Sequence, residues 1–285
     1  MSINLDTAAV QAFDDVVKQQ YQARARLRNA VTIRTGVTGD TYRFQRMGQG
    51  LANQKATQAE VTPMNISYAL QTATLERWLA SEYTDIFDKD EVNFDEMSEL
   101  ATSIAKALGR REDQLIIDAF NGGTYSTSPT TGDADTGLDI ITGATGMTLT
   151  KLLEVNERFG DLEIEDGEKH IAITAKGLRD LLGDPTLTST DYASVKALVS
   201  GDIDTFVGMK FHILGSRVEG GLPISTDQRA FAWHKASVGY AVGNIDMMTK
   251  VDYVPTRTSW LTVGMLRSGA VLRENAGVIR INYTR

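Results

Sequence analysis

The residues that could support catalysis in this 285-residue chain are few and far apart. Asp135-Thr136-Gly137 matches the three-residue core of aspartic proteases, in which two aspartates share a proton and activate water. The chain has no second copy to complete the pair, and the tripeptide stands in a stretch rich in Gly, Ser and Thr. A surface turn is therefore the preferred interpretation, and an aspartic-type hydrolase is the alternative.

Two further patterns are weaker. Asp202 and Asp204 resemble the paired aspartates of phosphoryl-transferring hydrolases, but Phe206 stands where a hydroxyl residue is needed. Gly48-Gln49-Gly50 follows a strand-like run, but Asn53 replaces the third glycine of a dinucleotide-binding loop. Neither pattern predicts a site.

Histidine and cysteine give no metal or nucleophile signal. His170, His212 and His234 are scattered, and none has a second histidine at metal-ligand spacing. Cysteine is absent, which excludes disulfides, thiol nucleophiles and thiolate metal sites. We therefore predict no catalytic residues, no cofactor and no metal, and a protein that is not an enzyme.

Composition limits the class of protein. With 42% hydrophobic residues the chain can bury a core, and its net charge of -8 argues against a broad face that grips nucleic acid phosphates. The N-terminus does not read as a signal peptide, and no segment approaches the roughly 20 apolar residues of a membrane span. We therefore expect a folded protein in a cytoplasm.

Charge is segregated along the chain. Arginines cluster early and acidic residues follow in one short span, which fits either two solvated faces or two surfaces that meet across a subunit boundary. The two groups are Arg24, Arg26, Arg28, Arg34, Arg43 and Arg46, and Glu82, Asp85, Asp88, Asp90, Glu91, Asp95, Glu96 and Glu99.

The first third of the chain alternates helical and extended patterns. Residues 6–29 have apolar residues at helical spacing, which predicts an amphipathic N-terminal helix. Residues 31–47 alternate around Gly39-Asp40 and predict a hairpin. Residues 48–65 carry few large apolar side chains and predict an exposed excursion, from which the extended run 66–80 returns.

A long helix is predicted over 93–121, with Asn93 as its cap and Asn121-Gly122-Gly123 as its stop. Gly109 inside it predicts a kink or a close backbone approach, and the charges of residues 110–113 interrupt the apolar face. That face consists of Met97, Leu100, Ile104, Leu108, Leu115, Ala119 and Phe120.

The remaining pattern mixes short helices and strands, so the predicted class is α+β. We predict a surface loop over 122–146, a helix from about Thr148 and a strand over 169–174. The later elements are helices at 175–184 and 191–201, a strand at 206–216, a strand running into a helix over 229–243, and β-rich structure from Met247.

The order of these elements resembles the major capsid protein of tailed phages, the Hong Kong 97 type fold. The likeness is carried by residues 67–120, "SYALQTATLERWLASEYTDIFDKDEVNFDEMSELATSIAKALGRREDQLIIDAF", which look like the family's run from extension loop into spine helix. "KALVSGDIDTFVGMKFHIL" and "LRSGAVLRENAGVIRINY" resemble its axial-domain and final peripheral-domain strands.

The resemblance implies a domain plan and a function. The implied plan is an N-terminal arm (1–35), an extension loop (36–78), a peripheral domain (79–165) with spine helix 93–121, an axial domain (166–245) and peripheral-domain return strands (246–285). The implied function is self-assembly into the icosahedral head shell that encloses the genome of a tailed bacteriophage. An encapsulin-like nanocompartment shell is the alternative within the same fold.

The resemblance also implies partners. The chain would assemble with itself as pentamers and hexamers, without a membrane, in the host bacterial cytoplasm, and would end in the virion capsid. No scaffold-like domain precedes the first extended loop, so a separate scaffolding protein is expected, together with a portal and a decoration protein. Because the wall is acidic, packaged double-stranded DNA would be contacted weakly.

The charged groups are the predicted inter-subunit contacts. We expect the arginine-bearing arm and loop to reach the acidic start of the spine helix in a neighbour, and residues 110–113 to bond neighbours or adjoining segments. The set is Arg24, Arg26, Arg28, Arg43, Arg46, Asp85, Asp88, Asp90, Glu91, Arg110, Arg111, Glu112 and Asp113.

Overall fold

The computed structural model describes residues 25–86, 96–130, 133–140, 145–164, 168–183, 205–223 and 227–284. Three helices lie within these residues: α1 (Glu96–Asn121), α2 (Leu149–Asp161) and α3 (Ala175–Leu182). The strands are β1 (Thr32–Val37), β2 (Thr41–Met47), β3 (Tyr68–Thr74), β4 (Glu76–Asp85), β5 (Tyr125–Ser126), β6 (Gly137–Ile140), β7 (Lys169–Thr174), β8 (Thr205–Phe206), β9 (Met209–Leu214), β10 (Asp227–His234), β11 (Val238–Gly243), β12 (Met248–Val254), β13 (Ser259–Leu272) and β14 (Val278–Thr284).

These strands form two large sheets and one isolated pair. The first sheet has the order β1-β11-β13-β12. Strand β4 also pairs with β13, along the edge opposite to β12. The second has the order β5-β6-β14-β10-β7-β9-β8. Strands β2 and β3 pair with each other as a separate two-stranded sheet. The predicted α+β class is therefore confirmed.

The long helix α1 lies on the first sheet. Ile104 and Leu108 pack with Leu266 of β13, and a Cβ placed on Gly264 would lie 2.3 Å from a methyl carbon of Ile104. The glycine therefore lets the helix lie directly on the strand. Further along, the buried residues are Ile116, Ile117 and Phe120, whereas the predicted Leu115 and Ala119 are only half-buried.

Two cores lie on the two faces of the second sheet. On one face, α2 and α3 cover the strands with residues such as Leu152, Phe159 and Leu181. On the other face, the end of α1 and the segment from Leu27 pack around Trp233. The predicted helix from Thr148, the strand 169–174 and the helix that follows it are confirmed.

The predicted hairpin over 31–47 is wrong. β1 pairs in parallel with β11, with Thr32 opposite Gly239, and β2 pairs with β3. Gly39 does adopt a positive φ of 97°, so the chain turns there, but the turn leads from one sheet to another. The excursion of residues 48–65 is confirmed as exposed chain, with only Gly48 half-buried.

Two other predictions are corrected. The run 229–243 is two strands, β10 and β11, joined by a short 3-10 turn, and all six residues of β11 are buried. A strand buried on both faces loses the alternation that marks a strand in sequence. The predicted loop 122–146 contains β5 and β6, and Leu138 and Ile140 of β6 are buried.

Several predictions fall outside the described residues: residues 6–24 of the N-terminal helix, the cap at Asn93 and the helix at 191–201. The end of that predicted N-terminal helix is wrong, because residues 25–27 are not helical and Arg28–Ala30 form a 3-10 turn. The domain boundaries stay a prediction. The last strand, β14, pairs with β6 and β10 in the second sheet, whereas β12 and β13 belong to the first, so residues 246–285 contribute to both. Across the described chain, no helix has both the length and the apolar character needed to span a bilayer.

Candidate assembly interface

The arm root, residues 25–31, is held by the polar interruption of α1. The Asp113 carboxylate accepts the backbone N–H of Arg26 at 3.0 Å and that of Leu27 at 3.0 Å. A Cβ on Gly109 would lie 3.2 Å from the backbone nitrogen of Ala25. The glycine is therefore a point of close backbone approach, one of the two roles predicted for it.

Glu112, the neighbour of Asp113, is also buried at the arm root. The Arg28 guanidinium contacts Glu112 at 3.2 Å and Asp246 at 2.6 Å, and the bond to Asp246 raises the Arg28 pKa above its ordinary value. Burial raises the pKa of Glu112 to about 7, against the opposing charge of Arg28. Burial likewise raises the pKa of Asp113 to about 6, against the two backbone N–H groups.

The four charged residues 110–113 thus have different surroundings. The Arg111 guanidinium lies 3.4 Å from the centre of the Trp78 ring on β4, and Gly220 packs against the backbone of Arg110. Glu112 and Asp113 expose essentially no surface. The expected contact of Glu112 and Asp113 with a neighbouring subunit is therefore corrected. Both residues bond adjoining segments of their own chain, which was the other expectation for residues 110–113.

A histidine pair supports the other side of the arm root. His170 Nδ1 lies 3.1 Å from His212 Nε2, and both rings stack on Trp233, whose indole N–H donates to the Ala30 carbonyl at 2.8 Å. Burial lowers the pKa of His170 to about 4, so the His170 ring is neutral near pH 7. Among the described residues, no three acidic or imidazole side chains come together as metal ligands.

The pairing of β7 with β9 brings these two histidines together. They stand 42 residues apart and looked scattered in the sequence. Parallel pairing sets His212 opposite Ala172, next to His170 on the same face. The signal that could have found them was the similarity of the two short strands, each with one histidine in an apolar run.

From here on, the name excursion covers the exposed segment 48–65 together with the two strands that lead to it, β2 and β3 (residues 41–74), and this excursion has two different faces. Along β2 the even-numbered residues Phe44 and Arg46 face the body, and the odd-numbered residues face solvent. The Arg46 guanidinium contacts Asp135 at 2.9 Å in its own chain, whereas Arg43 is exposed. The solvent side and the tip carry the exposed apolar residues Met47, Leu51, Val61, Met64, Tyr68 and Leu70.

A second exposed apolar surface, the sheet patch, lies on the first sheet. Leu79 is opposite Met265, which is opposite Met248, so the three side chains share one face. Gly264, the neighbour of Met265, faces α1, so the patch faces away from the helix. Leu79 is 66% exposed, and Tyr83 of the same strand extends the patch.

Of the remaining predicted contact residues, some are described and some are not. Asp85 is the last residue of β4. The Arg26 side chain donates to the Ile213 carbonyl at 2.7 Å in its own chain. Arg24, Asp88, Asp90 and Glu91, like the aspartates 202 and 204, lie outside the described residues.

The aspartic-type motif is a turn. Asp135 accepts the Arg46 guanidinium, and its backbone N–H donates to the Asp133 carboxylate at 2.8 Å. An aspartate whose charge is paired with a guanidinium is not placed to share a proton with a second aspartate. The geometry therefore favours the turn over the hydrolase.

The comparison with protein families decides the class. The model of the family described as "Phage capsid protein" matches residues 5–285. The chain belongs to this family. The predicted Hong Kong 97 type fold and the predicted role as the major capsid protein of a tailed phage are both confirmed.

Solved capsid structures agree with the family on the fold. The capsid protein of cyanophage P-SCSP1u has a TM-score of 0.75 and 15% identity, with 100% of this chain and 96% of that chain covered. The capsid of a native GTA particle has a TM-score of 0.75 and 16% identity, with both chains covered at 100%. The head of Helicobacter pylori bacteriophage KHP40 has a TM-score of 0.73 and 11% identity, with 99% and 97% covered. No curated protein sequence matches this phage capsid protein.

Proposed function

We propose that the excursion of one subunit lays its solvent side on the sheet patch of its neighbour, and that repetition of this contact as pentamers and hexamers closes the head shell around the genome. The observation that carries the proposal is the presence of two separate exposed apolar surfaces on one chain. Contiguous exposed apolar surface is uncommon on proteins that stay monomeric, and usually marks an interaction site.

Strand alternation restricts which arginine takes part. Arg43 lies on the solvent side of the excursion with Leu70, whereas Arg46 faces its own body. We therefore assign Arg43 to the neighbour and place its acidic partner at the end of β4, where Asp85 lies on the same face of the strand as Leu79 and Tyr83. The contacts predicted for Arg24 and the acidic residues 88–91 remain part of this proposal.

The other partners follow from the shell role. A separate scaffolding protein and a portal would direct closure in the host cytoplasm, and a decoration protein would bind the finished shell. With a net charge of -8, the wall would contact packaged DNA only weakly, which favours packaging and ejection. The role is structural and requires no catalysis.

Expression of the chain with candidate scaffolding proteins, followed by electron microscopy, tests the proposal. Leu79→Glu and Tyr68→Glu each place a charge in one of the two surfaces at a residue that is already exposed, so the subunit should fold and shells should not form. Val218→Glu is the matched control, because Val218 is 92% exposed and lies outside both surfaces.

Three outcomes separate the alternatives. Normal shells from Leu79→Glu and Tyr68→Glu would contradict the proposed contact. Small wild-type shells that purify with an enzyme cargo would favour the nanocompartment instead of a phage head. Arg43→Glu should also block assembly without unfolding the subunit, and normal shells from it would remove Arg43 from the interface.

A further inference from the structure

We infer that Arg46, Arg267 and Arg273 are positioning residues that fix the angle between the excursion and the body of the subunit, and so select one shell curvature. We call these three residues the arginine clamp. The inference deepens the proposed function and rests on it, because the angle matters for curvature only if the excursion contacts a neighbour.

Backbone pairing does not set this angle. Within the part of the chain that the structure describes, β2 and β3 pair only with each other, so no ladder of hydrogen bonds continues into either large sheet. A two-stranded sheet has little stability of its own in water. Only Leu75 joins β3 to β4 of the first sheet, so the chain fixes where the excursion leaves the body, and side chains and close contacts at the root restrict its direction.

The first contact lies at the centre of the root. The Phe44 ring packs against Gly239 of β11, where a Cβ would lie 2.7 Å from ring atoms. Backbone also approaches backbone nearby, because a Cβ on Gly269 would lie 2.0 Å from the Thr74 carbonyl oxygen. These contacts fix a point about which the excursion can tilt, but apolar contacts have no direction that would set the tilt.

Two arginines hold one end of β2. Arg46 reaches out of the excursion and contacts the Asp135 carboxylate at 2.9 Å and the Ala134 carbonyl at 3.3 Å. Arg273 reaches in the opposite direction, from the body to the Gln45 carbonyl at 3.3 Å, with its guanidinium 5.7 Å from the Phe44 ring centre. The bonds cross the junction both ways.

The third arginine holds the other end. Arg267 of β13 donates to the Asp40 carboxylate at 2.8 Å and also to the Gly39 carbonyl. Asp40 precedes β2 and Arg46 lies near its end, so the bonded points stand on either side of Phe44. Two bonded points on opposite sides of a pivot restrict the tilt, which one point could not do.

The exposure of these pairs makes the clamp adjustable. Arg46 is 19% exposed and its partner Asp135 is 70% exposed, and Arg267 is 20% exposed against 75% for Asp40. The planar guanidinium can bond a carboxylate and a carbonyl together, which gives the bond a direction. Because the acceptors are solvated, each bond can break and form again, so the clamp holds a preferred angle that assembly can change.

A distance measurement on the unassembled subunit tests the clamp directly. The chain has no cysteine, so Thr57→Cys at the excursion tip and Glu157→Cys on α2 carry spin labels without competition, and both sites are exposed. Double electron-electron resonance should give one narrow distance in the parent.

Arg46→Gln should lose that narrow peak, and Asp135→Asn, which alters only the exposed partner, should lose it without any risk to folding. Arg43→Gln is the matched control, because it removes the same charge from the same strand on the solvent side, and should leave the peak unchanged.

Electron microscopy of shells from Arg46→Gln and Asp135→Asn tests the consequence. Shells of mixed diameter from Arg46→Gln and Asp135→Asn, with uniform shells from the parent, would support the inference. An unchanged distance peak in both variants would overturn it, as would uniform shells despite a broadened peak. If the parent forms no shells but the peaks respond, the three arginines still set the angle of the excursion, and the selection of curvature fails together with the proposed function.

Discussion

The arm root and the excursion root join chain segments to the body with charged side chains, but they reverse the roles of donor and acceptor. At the arm root, backbone N–H groups donate to Asp113, whose carboxylate is buried. At the excursion root, backbone carbonyls accept from Arg46 and Arg273, and the carboxylate partners are solvated.

The difference in burial predicts a difference in strength and in response. A buried carboxylate that loses its bonds leaves unpaired backbone groups without water, which is costly, so the arm root should be strong and sensitive to pH. A half-exposed arginine pair exchanges its partner for water at little cost, so the excursion root should be weaker and sensitive to salt. The following predictions test this comparison.

Asp113→Ala should give the largest effect. It leaves the N–H groups of Arg26 and Leu27 without their acceptor, and we expect a loss of about 3 kcal/mol in the free energy of unfolding. Urea denaturation of the unassembled subunit measures it. Asp118→Ala on the exposed side of the same helix is the control and should cost less than about 1 kcal/mol. Equal losses in the two variants would mean that Asp113 does not hold the arm root.

Glu112→Gln should change how stability depends on pH. Since burial raises the Glu112 pKa from 4.5 to about 7, the folded chain holds this proton more tightly than the unfolded chain. The stability that this proton gives is fully present below the pKa of Glu112 in the unfolded chain, and it is lost as the pH rises through the folded-state pKa of about 7. Over this range the loss is at most about 3 kcal/mol. The glutamine variant should therefore be more stable than the parent at pH 8 and similar at pH 4. Parallel curves for the two proteins between these pH values would contradict the assignment.

Gly239→Ala tests the pivot of the excursion. The added Cβ would meet the Phe44 ring at 2.7 Å. Overpacking of this kind costs about 1–3 kcal/mol, measured as a fall in the free energy of unfolding. Gly160→Ala in α2, where a Cβ meets no atom within 4 Å, is the control and should be neutral or slightly stabilising. A neutral Gly239→Ala would show that the ring can move, and that the pivot is not fixed.

Asp135→Asn should give the smallest effect on stability, below about 1 kcal/mol, because the carboxylate is largely exposed. The effect should shrink as sodium chloride is raised, since salt screens exposed ion pairs. Asp113→Ala should keep its full effect at the same salt concentrations. A salt response shared by both variants would remove the distinction between the two roots.

Local patterns in the sequence predicted much of the fold. The long helix, which the structure describes over 96–121, the strand at 169–174 and the exposed excursion were each readable from spacing within a few residues. Pairing between distant segments was not readable: nothing near Thr32 indicates that it lies opposite Gly239. The hairpin prediction failed for this reason, because a local turn signal at Gly39-Asp40 was the only information available.

The candidate site was predicted less well, because burial of a charge has no local signature. Glu112 and Asp113 interrupted an apolar face and so looked exposed, although Gly109 beside them marked the approach of another segment. Arg43 and Arg46 were treated alike, although a difference of three positions on a strand places them on opposite faces. Alternation along β2 was visible in the sequence and would have separated them.

The 14-residue strand β13 has a mechanical consequence for a shell that must withstand force. It pairs with β4 and β12 over its first part and with β11 over its last, and Gly269 and Arg267 on it touch the root of the excursion. Hydrogen bonds between antiparallel strands lie perpendicular to the strands, so tension along β13 loads them in shear and many must break together. Tension that enters through the excursion follows the chain from β3 through Leu75 into β4, and the ten-residue ladder between β4 and β13 lets β13 share that load.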